Sequence, residues 1–223
     1  MEKINYLKKF RRDVEIIGIN DIGDIVIPEL WKEIFKEKEF EAKKERIINQ
    51  WKKVLGAELP KGIAFIEENL CEMDLINYKD KISILYGIKC MDGEIYYFEG
   101  GNPKECKEHE LLVGMPQKLK LFYLELHNGF FYYPSRMRGI VSLNEVTHFS
   151  DDEWGILEEL EEPLQISLDT TYGFYENGGG GYLAVDYSNC ENNIATMWFD
   201  DIDPDYNIDF WEHADRWMMI GFE

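Results

Sequence analysis

Ile82-Ser-Ile-Leu-Tyr-Gly-Ile-Lys-Cys90, Met91-Asp-Gly93 and Glu94-Ile-Tyr-Tyr-Phe-Glu99 follow one another without a gap. The outer runs are rich in β-branched and aromatic residues, and Asp92-Gly93 between them is a turn signal of the hairpin type. Two paired strands are expected, so the chain contains a sheet. Upstream, apolar residues recur at helical spacing from Pro28 (Leu30, Trp31, Ile34, Phe35, then Ile47, Ile48, Trp51, Val54 and Leu55), with Gly56 as the expected end. A second helix is expected around Ile63 to Leu70. Downstream, Gly100, Gly101, Asn102 and Pro103 break the pattern, and the charged run Lys104 to Glu110 reads as a linker.

The division this suggests, 1–110 and 111–223, is also a division of charge. The 223 residues carry 24 Lys and Arg against 44 Asp and Glu, a formal net charge of −20. Up to residue 110 the counts are 19 and 23; beyond it they are 5 and 21. An anionic field of this size argues against nucleic acid or an anionic membrane surface as a partner and attracts a basic protein. The basic amino-terminal stretch leads into Asp13 and Glu15 rather than an apolar core, so no secretory signal is read there. No stretch approaches the apolar length of a membrane span. Cys71, Cys90, Cys106 and Cys190 form no C-x-x-C pair, and a cytoplasmic location with free thiols is expected.

In the second part, Pro116 to Leu126 has Leu119, Phe122, Tyr123 and Leu126 on one helical face, with Asn128-Gly129 as terminator and a strand from Phe130. His127 reads as a helix-terminal residue favoured by the dipole. Short β-like runs follow at Ile140 to Leu143, Gln165 to Leu168, Tyr182 to Val185 and Ala195 to Phe199. An acidic helix is expected near Asp152 to Leu160, and a closing helix over Phe210 to Ile220 capped by Asp209. Helices, strands and helices in this order indicate an α+β fold, a mixed or antiparallel sheet flanked by helices, with an amino-terminal helical and β-hairpin region.

Pro116 to Leu126 with its His127-Asn128-Gly129 ending, Gly139-Ile-Val, Gly181-Tyr-Leu-Ala-Val-Asp186, and a final strand, acidic loop and helix with Trp198, Phe199 and Phe210 together resemble the SUKH superfamily. That group includes the Smi/Knr fungal cell-wall regulators and many bacterial immunity proteins. The resemblance covers the chain from about Leu111 onward. It implies an α+β domain with no catalytic centre and no cofactor, which in bacteria neutralises a toxin by binding it.

Two motifs invite other chemistry. Gly178 to Gly181 resembles a phosphate loop, but it runs into a strand pattern, lies between Glu176 and Asp186 and has no lysine, so a turn or bulge is expected. Asp201 to Glu212 places oxygens at calcium-loop positions 1, 3, 5, 7, 9 and 12 but has Tyr206 where the glycine belongs. A solvated acidic turn leading into the closing helix is expected there, without a metal. Trp198 and Trp217 read as core residues. Paired carboxylates are too numerous to nominate a general acid and base. The expected function is recognition of a basic protein, such as a toxin nuclease domain. Asp151, Asp152, Glu153, Glu158, Glu159, Glu161 and Glu162 are the expected contacts, with Tyr172 and Tyr175 as anchors. A cell-wall or stress-signalling scaffold and a metal-dependent hydrolase are the alternatives.

Overall fold

The computed structural model describes residues 2–223. Among these residues the fold is α+β, an open antiparallel sheet of eleven strands flanked by six helices. The hairpin of the opening stretch forms β3 (Lys81–Lys89) and β4 (Ile95–Gly100). Its turn is closed by the Cys90 N–H donating to the Glu94 carbonyl at 2.8 Å, with Gly93 at φ +88°. From this centre the sheet extends through β2 (Leu70–Tyr78) to the short edge strand β1 (Glu15–Ile17). On the other side come β5 (Phe130–Tyr132), β6 (Gly139–Ile140), β8 (Thr171–Glu176), β9 (Tyr182–Asp186), β10 (Ile194–Trp198) and the edge strand β11 (Asp205–Asp209). A two-residue β7 (Thr147–His148) pairs with β8 outside this path.

The sheet passes through the division at residue 110 without a break, because Phe98, Glu99 and Gly100 pair with Tyr132, Phe131 and Phe130. One core serves both halves. It lies under α2 (Glu29–Lys36), α3 (Phe40–Leu55), α4 (Pro60–Asn69), α5 (Gln117–Leu121) and α6 (Phe210–Gly221), and it takes Ile84, Tyr86 and Phe98 from one side and Leu183 and Val185 from the other. Strand alternation sends the intervening residues to the opposite face. There Leu85 and Tyr97 pack with Leu7 of α1 (Glu2–Leu7) and with Val14 from the segment that follows it, while Ala184 and Trp198 are covered by Phe149, Trp154 and Ile156. Burial on both faces explains why β3 is apolar almost throughout.

Several local expectations need correction. The periodic region from Pro28 is two helices, because Glu37 and Glu39 are extended and a new helix starts at Phe40. Residues 103–112 are helical turns, with Cys106 fully buried against the core. The α5 helix continues as a π-helical turn over Phe122–Leu126, and Gly129 at φ +83° follows where the chain passes against Val141 and Ser142 too closely for a Cβ. The acidic helix near 152–160 is a single 3-10 turn, Gly155–Glu158. The buried residues of this stretch, Trp154 just before the turn and Ile156 within it, are two positions apart, a spacing that does not face one side of an α-helix. Residues 165–168 are not a strand, and the neighbouring strand β8 starts at Thr171. At the closing helix, Asp209 Oδ1 accepts the Glu212 N–H at 2.9 Å, as its sequence signal implied. Among the described residues no helix is long and apolar enough to cross a membrane.

Candidate functional site

Pairing of β7 with β8 sets His148 opposite Tyr172, and their rings stack with centroids 4.7 Å apart and planes 15° apart. Tyr187, just past β9, lies 4.8 Å beyond Tyr172. The Tyr187 hydroxyl donates to the Leu111 carbonyl at 2.6 Å, which ties the 110–113 turn to the end of the sheet. Between that turn and residues 143–151 is an open groove of about 600 Å3, with these rings, Glu110, Val113 and Asp151 in its lining. Val113 is 80% exposed, an apolar side chain left in water at the mouth.

His148 Nε2 lies 3.0 Å from the Asp169 carbonyl, and a proton on that nitrogen donates to it. Asp151 Oδ2 is 3.5 Å from Nδ1, and Ser150 Oγ sits at the ring edge, 3.3 Å from both nitrogens. Serine, histidine and aspartate are thus neighbours, but Nε2 faces a backbone carbonyl. A nucleophile relay needs one ring nitrogen for the hydroxyl and the other for the carboxylate. The geometry suits binding, with aromatic side chains fixed before a ligand arrives.

Beside the groove runs an acidic ridge. Asp151, Asp152, Glu153, Glu158, Glu159, Glu161 and Glu162 are all exposed, with no lysine or arginine among residues 151–162. Among the described residues the only basic side chain within 4 Å of any of these carboxylates is His148, 3.5 Å from Asp151. The ridge is held by Trp154 and Ile156, buried against Trp198 and Ala184, by the Trp154 indole donating to the Phe149 carbonyl at 2.8 Å, and by the Gly155 N–H donating to Asp200 at 2.6 Å. Like charges are therefore fixed on a buried support.

Of the expected anchors, Tyr172 lines the groove, but Tyr175 does not reach the surface. It is buried against Trp217 at 5.6 Å, because β8 carries a bulge between Gly173 and Tyr175 that shifts the alternation. Trp198 is fully buried and Trp217 partly so. Glu110, Val113, His148 and Tyr187 were not read from the sequence. They meet only through the two-residue β7 ladder and the Leu111–Tyr187 hydrogen bond, neither of which leaves a periodic signal.

The remaining motifs resolve as structural elements. Gly178 to Gly181 is the turn between β8 and β9, with Gly178 and Gly180 near φ +80°. Asn177 Oδ1 accepts the N–H groups of Gly179 and Gly181 at 2.7 and 2.9 Å, so the amides that would cradle a phosphate serve the turn. Asp201 to Glu212 extends into β11 and then α6, so its carboxylates spread along a strand and a helix start. Among the described residues no group of three His, Cys, Asp or Glu side chains is placed to hold a metal.

His127 departs furthest from its expected role. It is fully buried among Trp31, Trp51 and Phe130, with Nε2 2.7 Å from the Tyr86 hydroxyl, and burial pushes its pKa down to about 3. A neutral ring has no charge to offer a helix dipole.

No known family model, curated protein or solved structure matches the chain.

Proposed function

We propose that this chain works by binding a basic protein and is a non-enzymatic immunity protein that neutralises a toxin domain, such as a nuclease, in the cytoplasm. The observation that carries the reading is the ridge: seven carboxylates in residues 151–162, held on Trp154 and Ile156, six of them without an ion-pair partner among the described residues. A nuclease surface built to hold phosphates is cationic, and clustered carboxylates steer it into encounter, raising the association rate by about 10–10³-fold at low salt. Steering needs anchoring contacts to become inhibition, and the aromatic groove beside the ridge supplies candidates. The resemblance of residues 111–223 to the SUKH group supports the same reading.

The test is association of the purified chain with a basic toxin domain encoded beside it, followed by stopped flow at low and raised salt. The comparison is a variant with Asp152, Glu153, Glu158, Glu159, Glu161 and Glu162 changed to their amides. Association of the parent should slow with salt, and the variant should be slower by at least about tenfold at low salt. An unchanged rate in the variant, or binding that strengthens with salt, overturns the proposal.

A further inference from the structure

We infer that the groove between the 110–113 turn and residues 143–151 receives an arginine side chain of the partner. The inference rests on the proposed binding of a basic protein and names what that partner inserts. The groove lining contains the carboxylates of Glu110 and Asp151 and neither lysine nor arginine. Its charge is therefore complementary to a cation.

The rest of the lining discriminates between cations. Tyr172, Tyr187 and His148 offer aromatic surface, on which a planar, weakly hydrated guanidinium packs better than a compact ammonium. Glu110 and Asp151 offer carboxylates that a guanidinium fork can engage with two N–H groups. Val113 and Val146 line the same space and match the aliphatic stem of the side chain. The rings are already fixed: Tyr187 by Leu111, His148 by Asp169, and Tyr172 by its stack on His148. Little ordering is left to occur on binding. At about 600 Å3 the groove exceeds one guanidinium and accommodates the residues flanking it.

The probe is a capped tetra-arginine peptide, with tetra-lysine for comparison, titrated into the full chain labelled with 15N and followed by amide shifts. Shifts are expected at Val113, His148, Asp151, Tyr172 and Tyr187, with arginine bound several-fold tighter than lysine. The double variant Glu110→Gln, Asp151→Asn should weaken arginine binding about tenfold, a few-fold for each partly exposed charge pair. Val113→Lys, which sets a cation at the mouth, should weaken it as well. Equal affinity for the two peptides, shifts confined to 152–162, or a double variant that binds as the parent does would each overturn the inference. The two proposals fail separately. Toxin association that depends on the ridge but survives the groove variants removes the arginine site alone, whereas an arginine-specific groove in a chain that binds no basic protein removes the immunity reading.

Discussion

Asp215, on α6, accepts the backbone N–H of Gly62 at 2.7 Å and that of Lys61 at 3.2 Å. These are donors of the first turn of α4, whose own N-cap, Leu59, has no side chain to offer them. A carboxylate 153 residues away in the chain therefore caps the helix, and Gly62 permits it, since a Cβ there would run into Met218.

Asp215→Ala should therefore cost about 1–2 kcal/mol, the range of a lost cap. For a chain of this length that lowers the melting midpoint by several degrees, roughly 2–4 °C per kcal/mol. Asp215→Asn, which keeps one carbonyl oxygen, should fall between. A melt of the alanine variant within 1 °C of the parent, taking about 1 °C as measurement error, would show that the contact contributes nothing.

Arg11 and Glu99 form an ion pair that is almost wholly buried, with side chains 7% and 8% exposed. Ser83 donates to Glu99 at 2.8 Å, and the guanidinium lies 4.2 Å from the Tyr133 ring centroid. Removing one partner strands the other charge, so Arg11→Met or Glu99→Leu alone should cost about 3–5 kcal/mol. The double variant should recover much of that loss. Urea unfolding of the four proteins closes the cycle, and simple addition of the two single costs would refute the coupling.

Acid should destabilise the protein well above the range in which carboxylates titrate. Burial holds His127 neutral down to about pH 3, whereas in the unfolded chain it takes up a proton near its ordinary value of 6.5. Between those values the unfolded state binds more protons, so stability falls as pH falls from 6.5 towards 3, by up to about 5 kcal/mol. Lower down, Glu145 and Asp186 add to the loss. Burial opposes their ionisation, but hydrogen bonds from Arg136 and Ser142, and from Thr170, Ser167 and Ser188, outweigh it and keep both below the usual carboxylate range. Glu105 and Glu176, raised by burial, act in the opposite sense. His127→Gln removes the imidazole while keeping a hydrogen-bonding group, so its urea midpoint should change less between pH 6.5 and 4.5 than that of the parent. Parallel curves would rule out His127 as the source.

In the β8–β9 turn, Asn177→Ala removes the acceptor for two backbone N–H groups and should cost about 1–2 kcal/mol. If this variant unfolds in urea at the same midpoint as its parent, solvent satisfies those amides equally well.

The sequence was legible where one short-range rule dominates. The β3–β4 hairpin follows from its Asp-Gly turn, and α6 from Asp209 followed by an apolar face. Between Asp152 and Leu160 the rules conflict. Trp154 and Leu157 suggest a helix, but Trp154 and Ile156 are the side chains that pack on the sheet, so long-range burial sets the conformation. In β2, Glu72, Asp74 and Asn77 interrupt the apolar run, and two of the three find partners only in space: Lys3 reaches both Glu72 and Asp74. The ridge could be read because all of its carboxylates are local. The groove could not, because its side chains come from four separate parts of the chain.

The distant cap on α4 also bears on synthesis. A ribosome delivers the helix long before the carboxylate that completes it, and the Phe222 carbonyl that accepts the Met91 N–H arrives later still. The nascent amino-terminal half must wait with its oily helix face uncovered, the kind of intermediate that a chaperone would shield.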